Sequence, residues 1–499
     1  MFLGNSYGGT TGALTNSFAI RRNTNGTIST ADDTFVDTAT NLPVDPAIGN
    51  ALLTINKGSA SFITNPAAVA QTLLTADSAS RRNAYTNSLA PGFKMPSDWK
   101  TNVSFKTTQL GIDWGIDAVA SWSNVNVAFR DARARALTIN GVQQYTPDGR
   151  MRYDGLVIAG ANAAAINANR AALGLPVASN PDLANLGLFG DIQAYNPSTK
   201  NWTRTVALSA HRNLFGVDAW GAYTWQYGHQ YGGISEFGTT AGGNTTSGAY
   251  YPDQGFGRDP NAAVEGKSNN LIRNSLKLNL SYKFEPRPGW VSRFTLFGEV
   301  HDGRPITFLM TDPAGGRNPT FGTSRDDALA YIPNLNSPDA ANPLKFVSAS
   351  GTTVFFDSQA SVDKLKALVK QFNLPMGQIV PRGFGKNPSV NRFDFQYAQE
   401  IPSPVAGHNL LLTVDIQNVG NLLNRKWGVV KEYTNSRSGG VVVNAQCAKA
   451  DGTAAGAADP TCVAYRYSYT TASPSTLATP TVDQAASLFS VGIGLKYRF

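Results

Sequence analysis

The chain has 499 residues, 42% hydrophobic but only 15% charged, which is too long for one ordinary soluble domain and poorer in charge than the usual quarter. Its net charge of +8 comes from lysines and arginines spread along the sequence, with no cluster of five or six, so no nucleic-acid partner is expected. No stretch approaches the roughly eighteen consecutive apolar residues of a membrane helix. The richest run, GLVIAGANAAAI at 155–166, is interrupted by Gly and Asn. If the chain crosses a membrane, it must do so as part of a closed barrel, because an open sheet leaves backbone groups unsatisfied in lipid.

The first residues, MFLGNSYGGTTG, carry neither a basic n-region nor an apolar h-region. Either a leader has been removed, or Met1 lies inside a longer protein. Residues 66–76 (PAAVAQTLLTA) predict a short helix with Pro66 in its first turn. Weakly alternating segments follow at 101–112, 114–130 and 200–211. Stronger ones come next. In 217–227, Val217, Ala219, Tyr223, Trp225 and Tyr227 oppose Asp218, Thr224 and Gln226. In 276–284, Leu276, Leu278, Leu280, Tyr282 and Phe284 oppose Lys277, Asn279, Ser281 and Lys283. Phe294, Leu296 and Val300 alternate with polar residues, as do Phe393, Phe395 and Tyr397, and then Leu410, Leu412, Val414 and Ile416. In SLFSVGIGLKYRF at 487–499, Phe489, Val491, Ile493, Leu495, Tyr497 and Phe499 share one face. Such a segment reaches the length of a tilted membrane-spanning strand, about 9–11 residues. An edge strand of a soluble sandwich is the alternative. In all, about nine strands are expected.

The connections alternate as well. Short turns are expected near Asp113 and at 212–215, 285–290 and 402–407. Long loops fall at 131–199, 231–270, 303–390 and 434–486. Short turns at one end and long loops at the other are the asymmetry of an outer-membrane barrel. Nine antiparallel strands leave the first and last parallel, so they cannot close an ordinary even-numbered barrel. The expectation is therefore a partial barrel, with residues 1–98 in a preceding extracellular loop. Within the loops, Val362, Leu365, Leu368, Val369 and Phe372 predict an amphipathic helix over 361–372, ended by Pro375. Both loop helices are expected to pack loops together rather than bind a cofactor. Val441–Val443 and Tyr465–Tyr469 predict a hairpin with the two cysteines, Cys447 and Cys462, near its tip. In an oxidising compartment these would close a disulfide; in a reducing one they would remain free thiols.

Sequence signatures of catalysis are missing. The four histidines (His211, His229, His301, His408) have no local partners, and no HExxH, GxSxG or P-loop occurs. GFGKN at 383–387 reads as a Gly-rich turn, and Asp326–Asp327 as solvated loop acids. No cofactor, metal site or enzymatic activity is expected.

Several blocks together resemble TonB-dependent outer-membrane receptors, in particular the Oar-like branch. They are FLGNSYGGTTG (2–12), LAPGFKMPSDWKTNVSF (89–105), FGEVHDGRPITF (297–308), ALAYIP (328–333) and GQIVPRGFGKNPSVNRFDFQYAQEIP (377–402). The most specific is LLTVDIQNVGNLLNRKWG (411–428), where Asn421, Leu422, Leu423 and Asn424 followed by Trp427 match a penultimate-strand signature. The aromatic end, Tyr497 and Phe499, is similar to ends read by the barrel-assembly machinery. The resemblance implies the carboxyl-terminal part of an all-β transmembrane barrel of about twenty-two strands. Its plug and TonB-binding segment would lie outside this sequence. Implied partners are outer-membrane lipid, an extracellular substrate of unknown identity and, if a plug is encoded upstream, the TonB system, all in the outer membrane of a Gram-negative bacterium. Arg392, Asp394, Gln396, Asp415, Gln417, Lys496 and Arg498 are the lumen-facing candidates. Lumen hydration and plug contact are their expected role ahead of direct ligand contact. The competing readings are a surface adhesin, whose long loops bind a partner without transport, and a passive porin.

Overall fold

The computed structural model describes residues 20–23, 34–37, 87–131, 134–154, 168, 170–175, 192–232, 255–268, 270–313, 320–322, 327–405, 407–433, 440–455, 461–469, 477 and 479–499. The predicted helix at 66–76 lies outside them. The described chain is predominantly β. Nine long strands form a single antiparallel meander, each pairing with its neighbours in sequence. They are β1 (Ser97–Gln109), β2 (Ile112–Val125), β3 (Trp202–Leu214), β4 (Val217–Gly232), β5 (Asn274–Arg287), β6 (Trp290–His301), β7 (Val390–Pro402), β8 (Asn409–Gln417) and β9 (Ser490–Arg498). Both β1 and β9 pair on one side only, so the described strands form an open sheet and no closed barrel.

Two turns sit away from their expected places. The β1–β2 turn, expected near Asp113, is Leu110–Gly111, and the β3–β4 turn, expected at 212–215, is Phe215–Gly216, sharing only Phe215 with that span. All four residues have positive φ: 56° at Leu110, 69° at Gly111, 54° at Phe215 and 83° at Gly216. Two-residue turns of this hand match the twist of the flanking strands, and this match overrides the poor turn propensity of Leu and Phe. Strand β2 also stops at Val125 rather than 130. There the Asn126 side chain accepts from the Val127 N–H at 2.9 Å and donates to Asn201 Oδ1 at 3.1 Å, diverting the chain.

Segments of the four long connections do not hang as separate loops. Parts of 303–390 and 434–486 build a six-stranded sheet in the order Asp327–Leu329, Phe308–Thr311, Gly440–Ala448, Ala464–Ser468, Thr353–Phe356, Lys345–Val347. The expected hairpin exists, but with Asn444–Ala448 against Ala464–Ser468. Val441–Val443 do not pair with Tyr465–Tyr469; Val441 and Val443 run parallel to Phe308–Thr311 instead. A helix, α1 (Gln359–Phe372), packs on this sheet through Val362, Leu365 and Leu368. It begins two residues earlier than predicted, because Ser358 caps it by accepting from the Ser361 N–H. At its other end Asn373 takes the left-handed conformation before Pro375. Around them Phe256, Phe308, Phe321, Phe346, Tyr465 and Tyr467 form one buried core.

A buried arginine ties the loop at 131–199 into this core. Arg150 is fully buried and pairs through Nε with Asp148 Oδ2 at 2.8 Å. Its other nitrogens donate to the carbonyls of Gly257 (3.1 Å) and Leu329. Asp148 also accepts from Tyr465 Oη at 2.8 Å and Thr146 Oγ1 at 2.7 Å. Burial pushes the Tyr465 phenol far above its ordinary pKa, so it remains a proton donor in this network. Asp327, expected to be solvated, is buried in the strand that pairs with Phe308–Thr311.

Candidate functional site

Successive side chains of a strand point to opposite faces, and register therefore sorts every residue of the nine strands. One face carries Val103, Ile116, Leu208, Tyr223, Leu278, Leu296, Phe395, Val414 and Leu495. The other carries the acids Asp98, Asp113, Asp117, Asp218, Glu299, Asp394, Glu400 and Asp415. The apolar face is exposed: Ile493 is 76% and Leu495 70% accessible. No described helix is long and apolar enough to cross a membrane.

On the polar face, β6–β9 form a groove of 630 Å³ near the loop end of the sheet, lined by Thr295, Asp394, Gln396, Asp415, Gln417 and Ser490, among others. Four of the seven predicted lumen residues meet here. Gln396 and Asp415 are direct cross-strand partners, and the Gln396 amide donates to Asp415 Oδ1 at 2.5 Å. Ser490 Oγ donates to Gln417 Oε1 at 3.2 Å. Arg392 stands beside them, donating through Nε to Asp394 Oδ1 at 3.0 Å. Lys496 and Arg498 share the polar face but lie toward the turn end, opposite Leu411 and Asn409, and do not join the groove. The groove offers carboxylate and amide acceptors on a rigid sheet. It could receive hydroxyl, amine or water ligands. Among the described residues, no group of three or more His, Cys, Asp or Glu side chains is placed to hold a metal ion.

The segment after β8 roofs this region. Asn418 adopts a left-handed conformation (φ 51°) and starts a short helix, Val419–Leu423. Its backbone N–H donates to Asp394 Oδ1 at 2.6 Å, and its side-chain amide donates to the carbonyls of Gly428 (2.9 Å) and Ser487 (2.6 Å). Asn421 closes the same turn by donating to the carbonyls of Arg425 and Trp427, and Asn424 Oδ1 accepts from the Lys426 N–H. Two asparagines of the signature are thus turn-builders, while Leu422, Leu423 and Trp427 project outward, with Leu423 74% exposed. Asn418 was not singled out from sequence, although asparagine is one of the few residues that tolerates the left-handed region. Asp394 consequently belongs more to this bracket than to an open ligand site.

A second polar cluster sits at the turn end of the same face. His211 lies between Asp218 (Nε2 to Oδ1, 2.5 Å) and Asp113 (Nδ1 to Oδ2, 3.4 Å), and Thr108 donates to Asp113 at 2.6 Å. The histidine that lacked local partners in the sequence finds them across strands. His408 meets Tyr497, Nδ1 to Oη at 2.5 Å, so one of the two terminal aromatics is anchored; Phe499 is 94% exposed. Cys447 and Cys462 form a disulfide with Cα atoms 4.8 Å apart, at the tip of the loop hairpin.

Comparison of the chain with known protein families, with curated proteins and with solved structures returned no match.

Proposed function

We propose that this chain forms wall strands and a folded extracellular cap of an outer-membrane TonB-dependent receptor, in the manner of the Oar-like branch. The observation that carries this reading is the sorting of the sheet: a predominantly apolar face across nine strands, a polar face behind it, short turns at one end and long connections at the other. A continuous exposed apolar surface of this size needs a covering phase or partner, and lipid is the covering phase that matches the alternation. The β3 strand of 13 residues, tilted as in such barrels, reaches about 30 Å, the thickness of a hydrocarbon core. The open edges at β1 and β9 would pair with further wall strands. In this reading the cap captures an extracellular solute, and the groove lined by Gln396, Asp415 and Gln417 faces the lumen and hydrates the path or contacts a plug.

The test is fractionation of the native cells, with detection by an antibody against the disulfide hairpin, followed by crosslinking to TonB. Retention in outer membranes after carbonate extraction, with a TonB crosslink, is the expected result. Recovery in a soluble fraction would remove the membrane reading. A second reading, a surface adhesin, is favoured by one feature: the long connections share a single buried core rather than remaining open. Membrane retention without any TonB crosslink would move that reading first.

A further inference from the structure

Register places most charged side chains of the nine strands on the polar face; Arg204 and Arg212 fall on the apolar one, as does Arg287 beyond the bulge in β5. Arg212 is next to the β3–β4 turn. Arg204 lies at the opposite rim, the third residue of β3, where the apolar face changes character. There Trp99, Trp122, Trp202 and His229 stand side by side on β1–β4. The Arg204 guanidinium sits over the Trp202 ring, 5.1 Å from its centroid. Tyr227, the cross-strand partner of Arg204, has its ring 5.5 Å from that of Trp202. A second cation covers this tyrosine: Arg273, just ahead of β5, lies 5.6 Å from its centroid. The four side chains form one row, Arg204–Trp202–Tyr227–Arg273.

Neither arginine has an ion-pair partner among the described residues. By register, the acids of β2, β3's neighbours and β5–β8 are all on the far face of the sheet. Both arginines are exposed and each lies over a ring, an arrangement that fixes its position while leaving its N–H groups free to donate. A planar guanidinium with free donors is suited to bind phosphate oxygens in pairs. Tryptophan and tyrosine at a lipid–water boundary set the depth of that boundary. The pair is therefore aimed at the plane where headgroups would lie, with apolar strand surface beneath it for acyl chains.

We propose that Arg204 and Arg273, on the Trp202–Tyr227 platform, form a binding site for the phosphate of a phosphorylated lipid in the outer leaflet. The site rests on the membrane reading above and adds to it a specific lipid contact on the outside of the wall. The occupant is a lipid rather than free phosphate, because the platform continues into an exposed apolar face through Val206 and Trp225.

The experiment uses the full chain, extracted from outer membranes in detergent, and a fluorescent phosphatidic acid as the probe. Saturable binding is expected. The Arg204→Ala/Arg273→Ala double variant should bind about thirtyfold more weakly, each cation weighted as one basic residue near an anionic surface. Arg212→Ala should bind as the wild type does, and Arg204→Lys/Arg273→Lys should retain part of the affinity, which separates lost charge from failed folding. Fluorescent phosphatidylcholine should not bind saturably. Equal binding by the double alanine variant overturns the site. Full competition by excess inorganic phosphate overturns the lipid as its occupant. If the chain is instead washed from membranes by carbonate, the membrane reading itself has failed, an outcome distinct from either.

Discussion

In the nine-stranded sheet Val491, Ile493 and Leu495 are 52%, 76% and 70% exposed; in the loop unit Phe308, Val354 and Tyr467 are completely buried. Both regions are β-structure from one chain, yet only the loop unit supplies its own hydrophobic interior. The sheet is held by backbone ladders and cross-strand pairs, and its apolar face is left for something else to cover. Damage to the loop unit should therefore appear as unfolding of the protein itself. Damage to the sheet should appear in how the chain meets its surroundings.

The largest effect is expected where the loop unit buries charge. Asp148→Ala leaves the Arg150 guanidinium fully buried without its carboxylate, and removes the acceptor for Tyr465 and Thr146. Breaking one side of a buried pair costs about 3–5 kcal/mol. Near-ultraviolet dichroism of the buried tyrosines should lose its thermal transition at the wild-type temperature, while the strands, under the membrane reading proposed above, still assemble. An unchanged transition would mean that the pair does not hold the loops together.

The sheet gives the opposite signature. Leu495 and Lys496 are neighbours on β9 but face opposite sides, paired with Leu412 and Leu411. If the sheet spans a membrane as proposed, Leu495→Arg places a charge on the lipid face and should cost up to about 2–4 kcal/mol, depending on depth. Lys496→Ala should be mild. Comparing the amounts of each variant assembled in outer membranes tests the assignment, and equal amounts would refute it.

This contrast also explains what could be read from the sequence. The nine-stranded sheet was legible because a sheet with one apolar face writes a period of two into Leu276–Phe284 and Ser490–Arg498. The groove residues Gln396 and Asp415 followed from the same parity. The loop sheet as a whole was hidden because the two pairings that join its antiparallel pairs are parallel and distant, Phe308–Thr311 with Gly440–Asn444 and Thr353–Phe356 with the strand at Ala464–Ser468. Phe308–Thr311, Asp327–Leu329 and Gly440–Ala448 are buried on both faces, so no alternation marks them. The Asn418 bracket was invisible for another reason: its role depends on a left-handed backbone and on Ser487, far along the chain. Likewise nothing local to Arg204 or Arg273 announces that they flank one Trp202–Tyr227 ring pair.

The disulfide sharpens the comparison from the loop side. Cys447 and Cys462 are 15 residues apart, and closing a loop of that size restricts the unfolded chain by about 3 kcal/mol. Cys447→Ser/Cys462→Ser should lower the thermal midpoint of the loop unit and open the hairpin to protease, without changing the amount of chain assembled in membranes. Loss of assembly would show that the two regions fold as one.

The smallest effect is expected where the two regions meet. Asp302 follows β6 directly, and its carboxylate accepts from Lys386 Nζ at 2.5 Å and Asn274 Nδ2 at 2.6 Å. Partial burial alone would raise its pKa, but the Lys386 ammonium and the Asn274 amide outweigh it and hold the carboxyl below its ordinary value. A carboxyl lowered in the folded state contributes stability that is complete above the unfolded value of about 3.9 and is lost as pH falls through the lower folded value. The loop unit should thus lose part of its stability on acidification below about pH 4. Asp302→Asn should remove that portion of the acid dependence and lower stability slightly at neutral pH. Thermal midpoints across the acid range measure both, and identical acid profiles for the two proteins would mean that the Lys386 contact adds nothing to the junction.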